Sequence, residues 1–245
     1  MIIFSCGRDC LGSIEKHIDS IKNQTFQDFK HIIVDDASCD DALYKKIMSI
    51  KGDNCIVYRN MSNFGWLKNA VNYLLPNMLY DDEIIVIVDL DDWMYDKYVL
   101  EYINDLYKKD NNLLLTFGSY ITLNKEVMPN ATDVETTLSS LDFRVSPWVF
   151  THLKTFKAIL FKLIKNSSFR DNKGKYLMST YDRAIMYPMV EMAGVERIKY
   201  IDKILYVYNT SNPNNVYKIN SKMQSDNKKY ISGLERYEKI DDNLL

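Results

Sequence analysis

Asp89, Asp91 and Asp92 stand within four positions of one another at the end of the stretch Ile84 to Met94, IIVIVDLDDWM. Five β-branched residues, a pattern suited to a buried strand, deliver these carboxylates to one place. Like charges this close repel, and each costs free energy to desolvate, so the cluster calls for a cation, hydrogen-bond donors or open water. A divalent ion shared by a carboxylate and phosphate oxygens satisfies that need.

Other polar residues also collect where apolar runs end. They are Ser5-Cys6-Gly7-Arg8, Asp35-Asp36-Ala37-Ser38 and Asn63-Phe64-Gly65. Gly7 to Ser13 has the glycine spacing of a P-loop but lacks its lysine, and no GxGxxG is present. A nucleotide bound here needs some device other than a glycine cradle for its diphosphate.

These ends are positioned by an alternation of strand and helix signals. Strands are expected at 2–5, 29–34, 55–58, 83–89, 113–118 and 197–208. Helices are expected from the spacing of Leu11, Ile14, Ile18 and Ile21, and at 42–50, 66–79, 95–108, 152–164 and 180–192. Residues 122–146 read as a long loop, and the polar stretch past 215 as a surface helix. Alternation of this kind predicts an α/β fold, with a mainly parallel, Rossmann-like sheet flanked by helices, and places ligands at the carboxyl ends of the strands.

With 245 residues, 47% hydrophobic, the chain can fill one sizeable core, and its net charge of −2 lacks the basic field of a duplex nucleic-acid binder. Cys6, Cys10, Cys39 and Cys55 form no CxxC pair, so free thiols are expected rather than a zinc site. MIIFSC is too short for a signal-peptide core and no run reaches membrane-spanning length, which leads to the expectation of a cytoplasmic protein.

QTFQDFKHIIVDDASCDD, NMSNFGWLKNAV and IIVIVDLDDWM, in that order and spacing, resemble the nucleotide-sugar-binding half of family 2 glycosyltransferases of the GT-A fold. The resemblance is strong over about 1–95, weaker over about 112–215, and absent from the tail. It implies one domain over 1–215, with a donor half at 1–118, a more helical acceptor half at 119–215, and a tail at 216–245. It implies an inverting transfer from a UDP-sugar, with Mn2+ or Mg2+, to a glycan, glycoprotein or lipid-linked acceptor.

The resemblance also assigns roles. Asp36, with Asp35 beside it, would meet the base, and Ser5 and Cys6 would line base and ribose, although Gly7-Arg8 replaces the family's aromatic-Asn pair. Asn63 and Lys68 would approach the diphosphate. Asp89 and Leu90 would line the donor, Asp89 facing the ribose; Asp91 would bind the metal, with His152 completing its site; Asp92 would support the site or start the next helix. Asp182 would be the general base, although the usual Glu-Asp pair reads Tyr181-Asp182 here. Glu191 is read as structural.

The apolar residues Leu153, Phe156, Ile159, Leu160, Leu163 and Ile164, flanked by lysines, could alternatively lie on a membrane through 153–175. Two rival functions share a strand-end DxD or a nucleotide pocket: a phosphohydrolase of the haloacid-dehalogenase type, and a non-catalytic nucleotide-sugar or glycan-binding module.

Overall fold

A computed structural model describes residues 1–129, 131–140, 142–212 and 221–241. Its first half repeats a strand-helix unit: β1 (Ile2–Gly7), α1 (Ile14–Lys22), β2 (Lys30–Asp35), α2 (Ala42–Ile50), β3 (Cys55–Arg59), α3 (Gly65–Asn69) and β4 (Ile84–Ile87). Then come β5 (Trp93–Met94), α4 (Val99–Lys109), β6 (Leu115–Thr122), β7 (Val127–Met128), α5 (Ala131–Leu138), β8 (Lys154–Lys157), α6 (Ala158–Lys162), α7 (Tyr181–Ala193) and β9 (Ile198–Tyr208). A further helix spans Ser221–Ser232.

All these strands join one sheet in the order β3-β2-β1-β4-β8-β6-β9-β5, with β7 on β6. Strands β1 to β4 run parallel, as does β6 with β9, while β8 is antiparallel to both β4 and β6. The sheet is therefore mixed, with four neighbouring parallel strands from the first half of the chain and one further parallel pair, β6 with β9.

Side-chain alternation explains why helices cover both faces. In β1 and β4, Ile2, Phe4, Ile85 and Ile87 join a core that includes Leu67 and the α7 residues Ile185 and Met189. Ile3, Val86 and Val88 point the other way, into a core with the α4 residues Val99, Leu100 and Ile103. Ile33 of β2 packs with Ile14 and Ile18 of α1 and Leu43 and Ile47 of α2.

The second half departs from the expectations in instructive ways. The segment expected as a helix over 152–164 is strand β8 followed by the short α6. Leu153, Phe156, Leu160 and Ile164 are buried in the core, whereas Leu163 is exposed, so most of the apolar face expected over 153–164 is used in packing. A lysine-rich apolar run fits both periods, and pairing with β4 decides between them. The loop expected over 122–146 contains β7 and α5.

Glu191 has a structural part. Its carboxylate takes two bonds from the buried Arg144, 2.7 and 2.8 Å long, and one from the Tyr237 amide at 3.0 Å. Arg144 also donates to the carbonyls of Ile231, Leu234 and Glu235, which ties the segment after Ser221–Ser232 to α7. Residues 216–220 and 242–245 of the expected tail lie outside the described residues. No helix among the described residues is long and apolar enough to cross a membrane.

Candidate active site

The parallel register brings the strand ends together: Gly7 lies beside Asp35, and Asp35 beside Arg59. Backbone bonds from Val88 N to Phe4 O (3.1 Å) and Leu90 N to Cys6 O (3.5 Å) carry β4's pairing into the DLDD segment. A Cβ at Gly7 would sit 2.8 Å from Leu90 Cβ, so only glycine lets β1 pass this close.

Asp92 acts as a clamp. It is buried, and its carboxylate accepts from the Tyr206 hydroxyl and the Asn209 amide, each at 2.7 Å. The Tyr206 hydroxyl in turn accepts from the Asp89 amide at 3.2 Å, and Asn209 Nδ2 donates to Asp91 O at 3.1 Å. The buried His17 bonds Asp92 O through Nδ1 at 2.7 Å, and burial pulls its pKa down to about 4, which leaves it neutral and donating. Of the two roles expected of Asp92, support is the one seen; α4 starts only at Val99.

With Asp92 turned inward, Asp89 and Asp91 face a cavity of about 630 Å³. Its wall includes Cys6, Arg8, Asp36, Asn63, His152 and Asp182, so strand ends from the first half of the chain and the start of α7 share one space. Asp91 Oδ2 accepts from Asn212 Nδ2 at 2.6 Å. Asp89 takes the Tyr181 hydroxyl on both oxygens, at 2.6 and 2.7 Å, and His152 Nε2 lies 3.7 Å from Oδ2. Burial pushes the Asp89 carboxyl up to about 6, against the opposing pull of Lys154, and Asp91 adds to the rise.

Lys154 is the residue the sequence reading missed. It is buried beside His152, with Nζ 3.2 Å from Nε2, and the negative charges of Asp182, Asp89 and Asp92 offset part of the burial that lowers its pKa. As one of a row of helix-face lysines it looked solvated; only the strand period places it inside. His152 itself stacks on Tyr206 at 4.4 Å and is held well below its ordinary pKa by burial, then by Lys154.

The remaining expected residues separate into two groups. Asp36 lines the cavity, but its carboxylate also closes the turn into α3, accepting from Asn60 Nδ2, Phe64 N and Gly65 N at 2.8 Å each. Asn63 lines the cavity and accepts from Gly65 N at 3.0 Å; Gly65, at φ 74°, makes that turn. Cys6 also lines it, its thiol accepting from Asn69 at 3.3 Å.

Ser5, Asp35, Leu90 and Lys68 are placed elsewhere. Ser5 is buried against His31 at 2.9 Å, Leu90 is buried, and Asp35 accepts from Ser38 N and Oγ at 3.0 and 2.5 Å. Lys68 lies with its ammonium 3.6 Å from the centre of the Phe64 ring.

Asp182 sits in the first turn of α7, where its Oδ1 accepts from the Arg183 amide at 2.9 Å. The turn before it is pinned by Asn227, which donates to Ser179 Oγ at 2.9 Å. Met223 and Gln224, from the same helix as Asn227, form part of the cavity wall. Nothing in the sequence pattern linked that polar helix to the site.

The profile of glycosyl transferase family 2 matches residues 2–168, more than half of the chain. The chain belongs to this family. No curated protein matches it.

Among solved structures it is similar to S. aureus TarS 1–349 in complex with UDP, with a TM-score of 0.63 and 19% identity over 96% of this chain and 66% of that one. The complex of the same protein with UDP-GlcNAc gives 0.63 and 18%, over 86% and 58%. Mannosyltransferase PcManGT from Pyrobaculum calidifontis, in complex with GDP-Man and Mn2+, gives 0.58 and 14%, over 94% and 62%. At these identities the likeness is one of fold. The chain spans between 39% and 66% of the TarS chains it matches.

Proposed function

We propose that the chain is an inverting glycosyltransferase that moves a sugar from a nucleotide-sugar donor, a UDP-sugar, to a hydroxyl of a glycan, glycoprotein or lipid-linked acceptor. The observation that carries this reading is the meeting of Asp89, Asp91 and Asp182 around one cavity in a family 2 chain. The fold likeness to TarS, seen with UDP and with UDP-GlcNAc, supports the choice of nucleotide. Family membership removes the ground for a phosphohydrolase, which rested on the DxD alone.

The donor half would receive base and ribose along Cys6, Asp36 and Asp89, with Asn63 beside the diphosphate. Asp182 would take the proton from the acceptor hydroxyl as its oxygen attacks the anomeric carbon, on the face opposite the departing diphosphate.

Among the described residues, no three His, Cys, Asp or Glu side chains form a ready cluster for a metal. Asp91 nevertheless fits a hard divalent cation that takes its other oxygens from a diphosphate: it faces the cavity, and burial raises its pKa, a cost a dication relieves. Asp91 would hold Mn2+ or Mg2+, with His152 as the second protein candidate once its nitrogen is released from Lys154. When bound, the ion would neutralise the leaving diphosphate.

Titration of the protein with UDP, GDP, dTDP and CMP, each with and without Mn2+, tests the reading. Saturable binding of UDP, strengthened by the metal, is expected. Absence of binding for all four nucleotides would sink it.

A further inference from the structure

Asp89 is the carboxylate expected to meet the donor ribose, yet in this structure its oxygens are engaged from within. The Tyr181 hydroxyl lies 2.6 Å from Oδ1 and 2.7 Å from Oδ2, so one proton is shared between both oxygens. A ribose hydroxyl bonding the same carboxylate meets that group first. The tyrosine ring is held flat against Trp66, with centroids 4.2 Å apart and planes at 10°, and the Lys154 ammonium lies 5.9 Å from its centre.

Tyr181 is also the first residue of α7, immediately before Asp182. Thr180 ahead of it has φ 64°, in the left-handed region that a β-branched residue adopts only under constraint. Ser179 is fixed from outside by Asn227. The first turn of α7 therefore starts beside a pinned residue and reaches the end of β4 through the Tyr181 hydroxyl on Asp89. A group that takes Asp89 away from Tyr181 releases that bond, one residue from Asp182.

We propose that Tyr181 is a positioning residue through which occupancy of the donor site sets the placement of Asp182: a nucleotide whose ribose takes Asp89 displaces the Tyr181 hydroxyl, and the first turn of α7 resets. The inference rests on the glycosyltransferase reading above. It makes the placement of Asp182 depend on whether Asp89 is engaged by Tyr181.

Tyr181→Phe removes the hydroxyl and keeps the ring on Trp66. In calorimetric titration with UDP and Mn2+, and with GDP and Mn2+ in parallel, the variant should bind the nucleotide preferred by the wild type about fivefold or more tightly, because a charge-assisted bond no longer has to be broken. The gain should vanish in an Asp89→Asn background. Hydrogen exchange gives a second test that needs no substitution: in the wild type, nucleotide should change exchange at the amides of 181–184, and Tyr181→Phe should show the nucleotide-bound pattern beforehand.

Equal or weaker binding by Tyr181→Phe, a gain that persists with Asp89→Asn, or unchanged exchange at 181–184 in the wild type would each overturn the inference. Nucleotide binding by the wild type with any of those results removes Tyr181's role alone. A wild type that binds no nucleotide overturns the glycosyltransferase reading and this inference with it.

Discussion

Asp89→Asn should make the ligand-free protein more stable while weakening, without abolishing, its hold on the nucleotide. The Asp89 carboxyl moves from its ordinary 3.8 to about 6 on folding, chiefly through burial. At roughly 1.4 kcal/mol for each tenfold in proton affinity, that is about 3 kcal/mol of stability withheld by the ionised group. The sign follows from proton uptake. Between pH 3.8 and 6 the folded state holds more protons at Asp89 than the unfolded state, so stability falls as pH rises through that window, and the whole penalty stands above it.

Asparagine carries no charge and its oxygen still accepts from Tyr181. The variant should therefore match the wild type near pH 3.5 and exceed it at pH 7.5 by about 3 kcal/mol, a rise of roughly 6–12 °C in midpoint for a chain of this size. His17 acts in the opposite sense. Its folded value of about 4 lies below the ordinary 6.5, so stability is lost as pH falls through that range, but this contribution is common to both proteins and cancels in the difference. Thermal and urea unfolding at five pH values between 3.5 and 8 would measure that difference. A variant less stable than the wild type at pH 7.5, or a difference that does not change with pH, would refute the reasoning.

Three further outcomes are expected. Asp91→Asn should bind UDP in the presence of Mn2+ no better than in its absence, by calorimetry, with the unfolding midpoint of the ligand-free protein at neutral pH raised, because burial disfavours the ionised carboxylate. Arg144→Met takes both guanidinium bonds from the buried Glu191 carboxylate, leaving it the Tyr237 amide and Arg236, and frees three carbonyls; it should cost about 3 kcal/mol in urea unfolding. Tyr206→Phe removes the bridge between the Asp89 amide and Asp92 and should destabilise by about 1–3 kcal/mol, and weaken nucleotide binding with it.

The first half of the chain was legible because its signals are local. β-branched runs, a polar residue at each strand end and helical spacing between them each lie within a dozen residues, and the parallel sheet follows from their order. Asp89, Asp91, Asp36 and Asn63 were found this way and share the cavity. What was missed depends on pairing distant in sequence. Lys154 reads as a surface lysine until β8 is laid against β4, and Met223, Gln224 and Asn227 reach the site from a helix held by Asn227 on Ser179 and by Arg144 on the segment that follows. Asp35 and Asp36 were adjacent in sequence and equally acidic; the strand's alternation sends one to Ser38 and the other to the cavity.

The central claim is that a nucleotide-sugar binds in the cavity and that Asp182 serves the chemistry rather than the binding. Slow donor cleavage, with water in place of the acceptor, can be followed without knowing the acceptor. The deciding measurement is UDP release from a UDP-sugar by wild type and Asp182→Asn, with donor affinity determined on the same samples. The account predicts affinity within about twofold and a rate lower by about 10²-fold or more. A rate equal to wild type, or a loss of affinity that explains the whole fall in rate, would contradict it.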